Sequence, residues 1–370
     1  MTNMNSYHEI GNVAYGRNSI FIVSCANSLF GIGMSLSYFI VLADIIAPVL
    51  QNMFGTDEDN SDYRFYAIVL ISASLAYFWI QKQTNESKIG TILTTLCIWI
   101  FLLVLWVYYI DTLSQQERNM SDFAYPEVSI FSYFKVIPII LVAFWFQPSI
   151  LSSHKAFSVE KKGNIWKIIT TAYAVSPICY LLIVTFALVL YGPDLQTNLL
   201  TTLLTNENSS LRYVCVFLFM IIAAFQTPKM FHVGKESLLT VYCESKYMTF
   251  TQNKVVETDD NESELQFSVS KHSLMRMEIS NIIETKEYYM LVSLVYIFLI
   301  IFSLCISDLQ IVLTLLGILA ACPICFILPA LFYLKLNEGK LSLPSKVSAI
   351  VLIAYGIISW ASCLISYIVE

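Results

Sequence analysis

Charge is scarce in this chain. Asp, Glu, Lys and Arg make up 13% of its 370 residues, where a soluble domain carries about a quarter. With 57% hydrophobic residues and a mean hydropathy of +0.66, the composition is that of an integral membrane protein. The basic residues do not exceed the acidic ones (21 against 27), and the net charge of −6 argues against a nucleic-acid partner. Catalytic signatures are missing too. There are four histidines, and no HExxH, GxSxG or P-loop pattern occurs, so no enzyme activity and no cofactor are expected. The first eighteen residues are polar, so no cleavable signal peptide is expected there. Nearly all of the nine cysteines fall inside apolar runs, so no disulfide framework is expected. The Cys322-Pro-Ile-Cys325 sequence is read as small packing residues.

Long apolar runs are what the chain has. A helix needs about 20 apolar residues to cross a bilayer core. Nine runs qualify, near 19–50, 65–80, 91–110, 131–151, 168–191, 211–232, 288–306, 309–334 and 347–369. They are continuous rather than alternating, so they read as helices and not barrel strands. The expected class is an all-α, multi-pass membrane protein forming a single membrane domain over 1–370. Most of the 21 basic residues lie in alternate connecting segments. By the positive-inside rule this sets the N-terminus inside and the C-terminus outside. Asn119 and Asn208 head glycosylation sequons on the outer side, but Asn85 and Asn261 head sequons on the inner side, so sequons decide nothing. Residues 233–287 are polar and include TDDNESE, and are expected to form a cytoplasmic loop, disordered in part.

Several residues resist a purely lipid-facing reading. Asp44 and Lys229 are ionisable groups inside apolar runs, where such groups usually face the bundle interior. For Lys229 the competing reading is a stem that snorkels to the headgroups. Prolines 138, 148, 177, 228, 323 and 329 interrupt the runs. Each removes a backbone donor, and such breaks survive in lipid only where they line a cavity or are buried in protein. The FWFQP stretch at 144–148 therefore reads either as a helix broken around a substrate or as a kink.

Four stretches carry a family resemblance. YHEIGNVAYGRNSIFIV (7–23) with GIGMSLSYFIVLADIIAPVL (31–50), VIPIILVAFWFQPSIL (136–151), the span near 211–239, and above all DLQIVLTLLGILAACPICFILPALFYLKL (308–336) resemble the third, sixth, eighth and tenth helices of the amino acid/auxin permease family. That family includes sodium-coupled neutral amino acid transporters and vacuolar amino acid permeases. The resemblance implies two inverted five-helix repeats plus one helix, with these spans as helices three to eleven and the first two absent. It implies secondary active transport of an amino acid, as a symporter coupled to sodium or protons, in the plasma membrane or a vacuolar or lysosomal membrane. A truncated, non-transporting membrane sensor of the same fold is the alternative. By this resemblance Phe144, Gln147 and Pro148 would line the substrate cavity, with Gln147 where much of the family has histidine. Gly33, Ser37 and Tyr38 are candidates by segment. Gln226, with Thr227 beside it, falls where sodium-coupled members use a threonine. Lys229, one turn away, could stand in for the ion. The partners implied are an amino acid and the lipid bilayer. Oligomeric state is not legible.

Overall fold

The computed structural model describes residues 7–54, 60–81, 88–115, 130–145, 150, 164–192, 195, 198–205, 210–247 and 283–369. Among these residues the regular structure is helical throughout. The helices are α1 (Tyr7–Tyr15), α2 (Arg17–Phe54), α3 (Asn60–Ile80), α4 (Lys88–Gln115), α5 (Ile130–Ala143), α6 (Ile165–Tyr191), α7 (Leu199–Thr205) and α8 (Ser210–Tyr247). They continue as α9 (Thr285–Cys305), α10 (Leu309–Leu316), α11 (Leu328–Leu336) and α12 (Leu343–Val369). Two π-turns, Gly317–Ala321 and Pro323–Ile327, join α10 to α11 as one irregular rod. Eight helices, counting that rod as one, are long and apolar enough to cross a membrane. The run expected near 131–151 opens with α5, whose 14 residues are too few to cross alone.

The bundle is organised by α2 and α8, each of 38 residues. At 1.5 Å per residue each is about 57 Å long, well beyond a hydrocarbon core of about 30 Å. They touch backbone to backbone. A Cβ built on Gly31 would lie 2.3 Å from the Gly234 nitrogen, and one on Gly234 would lie 2.7 Å from the Ile32 nitrogen. Small residues at such a crossing let two helices approach where apolar burial gives no net drive, because lipid is as apolar as leucine. Around the crossing, α2, α3, α8 and α9 enclose an aromatic core. Trp79 stacks on Phe231 at 4.4 Å, meets Tyr296 edge-on at 4.2 Å, and lies 5.0 Å from Phe39.

The polar loop expected from residue 233 begins later than that. Helix α8 continues to Tyr247 because its charged residues find tertiary partners. Lys235 is buried and donates to the Gln81 carbonyl (2.7 Å) and to the Tyr288 hydroxyl (3.0 Å). Glu244, fully buried, pairs with Arg17 at 3.0 Å. Lys246 pairs with Glu287, which also accepts from the Tyr242 hydroxyl. These contacts replace water for groups that composition alone would leave in a loop. The rest of that segment, 248–282, lies outside the described residues. At the other end of the bundle Asp44 pairs with Arg64 at 3.6 Å, and Arg64 also donates to the Ile306 carbonyl at 3.4 Å. Asp44 thus ties α2 to α3 and to the end of α9.

The α10–α11 rod shows what its prolines cost. Cys322 and Leu328 donate in the wider π register, to Gly317 and Pro323. In that register the Ile324 carbonyl would await an N–H from residue 329, which is proline and has none. The Tyr7 hydroxyl donates to it at 3.2 Å instead. Helix α1 is therefore fastened over the rod, with Tyr15 donating to the Leu331 carbonyl at 3.3 Å and Tyr7 packing on Phe332. His8, also on α1, shares a hydrogen bond with Ser24 at 3.0 Å, and burial pushes its pKa down to about 4, so α1 docks with His8 neutral. Gly16, at φ +75°, ends α1 and turns the chain into α2.

Replacing Gly31 with Ala forces the α2 and α8 backbones apart, and overpacking of this kind costs about 1–3 kcal/mol. The melting temperature of the detergent-purified protein is expected to fall. An unchanged melt would mean that the two backbones are not in contact.

Candidate functional site

Helix α5 stops at Ala143, inside the apolar run that the sequence continues to residue 151. Its last turn loosens. Phe144 still donates to Ile140 (3.1 Å), but Trp145 donates to Val142 (3.2 Å), a tighter i→i−3 bond. The Ala143 carbonyl is taken by a side chain from another helix: the Tyr180 hydroxyl of α6 donates to it at 3.1 Å. Phe144 meets the Tyr180 ring edge-on, with centroids 5.3 Å apart and planes at 89°. Trp145 lies flat on Phe30 of α2, at 3.7 Å and 18°. Its indole nitrogen is buried and donates to no described residue. Tyr38 of α2 is half-buried and packs against the core cluster around Trp79. The end of α5 is thus packed among Phe144, Trp145, Tyr180 and Phe30. Gln147 and Pro148 lie outside the described residues.

The other α2 candidates do other things. Gly33 is where α10 comes closest, and a Cβ there would lie 2.2 Å from the Leu316 side chain. Ser37 is buried and returns its hydroxyl to the Gly33 carbonyl at 3.1 Å. Gly33 therefore serves the α2–α10 contact, while the Ser37 bond is internal to α2.

Pro138 corrects the expectation that each proline in a span borders a solvent-filled chamber. A Cβ on Gly317 would sit 2.3 Å from the Pro138 Cβ and 2.4 Å from its carbonyl oxygen. This is dry contact between α5 and the first π-turn. Glycine there admits the ring, and burial in protein satisfies the same constraint as a cavity would. Trp145 is likewise packed on Phe30 rather than facing open space. Cys322, read as a packing residue, is buried and also donates to the Gly356 carbonyl of α12 at 3.1 Å.

The three candidates on α8 are spread around the helix. Thr227 is fully buried and gives its hydroxyl to the Ala223 carbonyl at 2.6 Å. Gln226 is half-buried. Lys229 sends its ammonium to the Thr91 hydroxyl of α4 at 3.1 Å. Pro228 lies among them and carries no N–H for the carbonyl one turn back. Among the described residues no group of three or more His, Cys, Asp and Glu is placed to hold a metal ion.

Tyr180, Trp145 and Phe30 were not singled out from the sequence. The chain has 22 tyrosines, 24 phenylalanines and 6 tryptophans, and spacing marks none of these three. A proline three residues before Tyr180 is the one local signal.

The profile of a family described as "Transmembrane amino acid transporter protein" matches residues 2–369. The chain belongs to that family. It is also similar to "Vacuolar amino acid transporter 5" of Saccharomyces cerevisiae, at 21% identity over 345 residues, which cover 86% of this chain and 72% of the yeast protein. These findings agree with the resemblance carried by the third, sixth, eighth and tenth helix stretches. They establish a multi-pass membrane protein of an amino acid transporter family.

Replacing Tyr180 with Phe removes the donor to the Ala143 carbonyl, at about 0.5–1.5 kcal/mol. The purified protein is expected to melt at a lower temperature. If the melt were unchanged, the hydroxyl would not be holding the end of α5.

Proposed function

We propose that the protein moves amino acids across its membrane by secondary active transport with alternating access, and that the substrate sits at the end of α5. The observation that carries this reading is the helix end itself. Helix α5 stops in mid-run, with its final carbonyl held by Tyr180, aromatic rings packed around it, and the buried indole nitrogen of Trp145 given no partner among the described residues. An amino acid brings an ammonium, a carboxylate and a side chain. The C-terminal pole of α5 is partially negative and attracts the ammonium. The indole N–H of Trp145 is a donor for the carboxylate. Phe144 and Tyr180 give the side chain an apolar wall, and Gln147 and Pro148 are assigned to the same cavity by the family resemblance alone.

Coupling in this reading does not use sodium. Lys229 lies about one turn from Gln226 along α8 and is tied to Thr91. A fixed ammonium supplies the positive charge that a bound ion would bring, which leaves a proton gradient as the driving force.

Uptake of radiolabelled amino acids into vesicles holding the purified chain tests the transport reading. Saturable uptake is expected with an imposed pH gradient, and Trp145→Ala is expected to lower it about tenfold, the equivalent of 1.4 kcal/mol. Equal uptake by the variant would remove Trp145 from the site, and no uptake of any of the twenty amino acids would sink the reading. Replacing sodium with choline in the same assay is expected to leave uptake within about twofold, whereas a loss beyond tenfold would contradict the role given to Lys229.

A further inference from the structure

A cavity separate from the α5 end lies where α2, α8, α9 and α10 meet. Its volume is about 550 Å³, within the range of about 300–1,000 Å³ usual for ligand sites. Its floor is closed: Leu299 is 1% exposed, Leu316 4% and Val312 5%. Its lips are open, with Leu294 at 62%, Phe298 at 50% and Leu319 at 49%. All of these residues belong to membrane-crossing helices. Along α9 it runs from Leu294 to Ile306. At 1.5 Å per residue that is about 18 Å, close to the 15 Å or so of one leaflet's hydrocarbon. The α9–α10 hairpin closes one end at Ile306, whose carbonyl is held by Arg64.

We infer that this slot seats one acyl chain of a bilayer lipid. The medium around the lips is hydrocarbon, and the slot is one leaflet deep and blocked at the hairpin. Its walls contain two polar side chains, Cys25 and Ser28. Ser28 is 5% exposed, which leaves little of it open to a ligand, and a thiol is a weak hydrogen-bond donor. A sterol would bring a hydroxyl with nothing to receive it, whereas an acyl chain has no polar group along its length. The seat lies beside the closest approach of Gly33 to Leu316, so an acyl chain there wedges between α9 and α10 and bears on the rod that contacts Pro138. This adds a lipid site and does not depend on the amino acid site.

The test uses the full chain in phosphatidylcholine vesicles doped with phosphatidylcholine that carries a photoactivatable diazirine on one acyl chain. Cross-links are mapped by mass spectrometry. They are expected to concentrate on the peptides holding Leu294, Phe298 and Leu319, at least fivefold above the exposed face of α12 around Val351. Leu29→Trp, which fills the slot from α2, is expected to remove that excess and leave the α12 label unchanged. Leu319→Trp serves if the first variant does not fold, and the map on the unaltered chain stands without either. Labelling in simple proportion to exposed apolar surface would overturn the inference. So would preferential labelling of the slot by a photoactivatable sterol, or protein-to-protein cross-links showing that a second copy covers it.

Discussion

The fold turns on one contact, the crossing of α2 and α8 at Gly31 and Gly234. Lipid does not reward burying leucine against leucine, so the helices of this chain need another reason to associate. Two glycines let the backbones meet, and the rest of the bundle is arranged around that meeting. On one side the aromatic core of Trp79, Phe231 and Tyr296 fixes α3 and α9. At the basic end Lys235 and Glu244 find partners on other helices, and at the hairpin end Asp44 and Arg64 do the same. The buried charges of this chain are placed where helices must be joined.

That frame is what gives the end of α5 its setting. Phe30 lies one residue before Gly31, so the residue that receives Trp145 is fixed by the same crossing. Pro138 is held against Gly317, which fixes the middle of the helix that ends five residues later. Tyr180 then closes the last carbonyl from α6. The Tyr180 contact follows from a backbone carbonyl that a helix end left without its usual partner. The Tyr7 bond to Ile324 has the same origin at Pro329. The aromatic hydroxyls of this chain take the place that water would take outside a membrane.

The helices were legible in the sequence because hydropathy reports burial in lipid directly, and the family was legible from the tenth-helix stretch. The end of α8 was not, because Lys235 and Glu244 look like loop residues until Gln81, Tyr288 and Arg17 are placed beside them. A proline's position alone did not mark an interruption, since Pro138, Pro177 and Pro228 sit inside continuous helices, nor did it say what lies beside each ring. Pro138 faces protein, and nothing in its local sequence says that a glycine far along the chain will be opposite. Gly33 and Ser37 lay in the right segment but serve its packing. The aromatic wall at α5 was hidden because aromatic residues are too common here for any one to stand out.

The central claim is that the end of α5 receives the transported amino acid. Hydrogen–deuterium exchange of the reconstituted protein, with and without a transported amino acid, tests it most directly. Slower exchange confined to peptides spanning Ile140–Trp145 and Tyr180 is the predicted result. Unchanged exchange there, with protection at another part of the bundle, would contradict it.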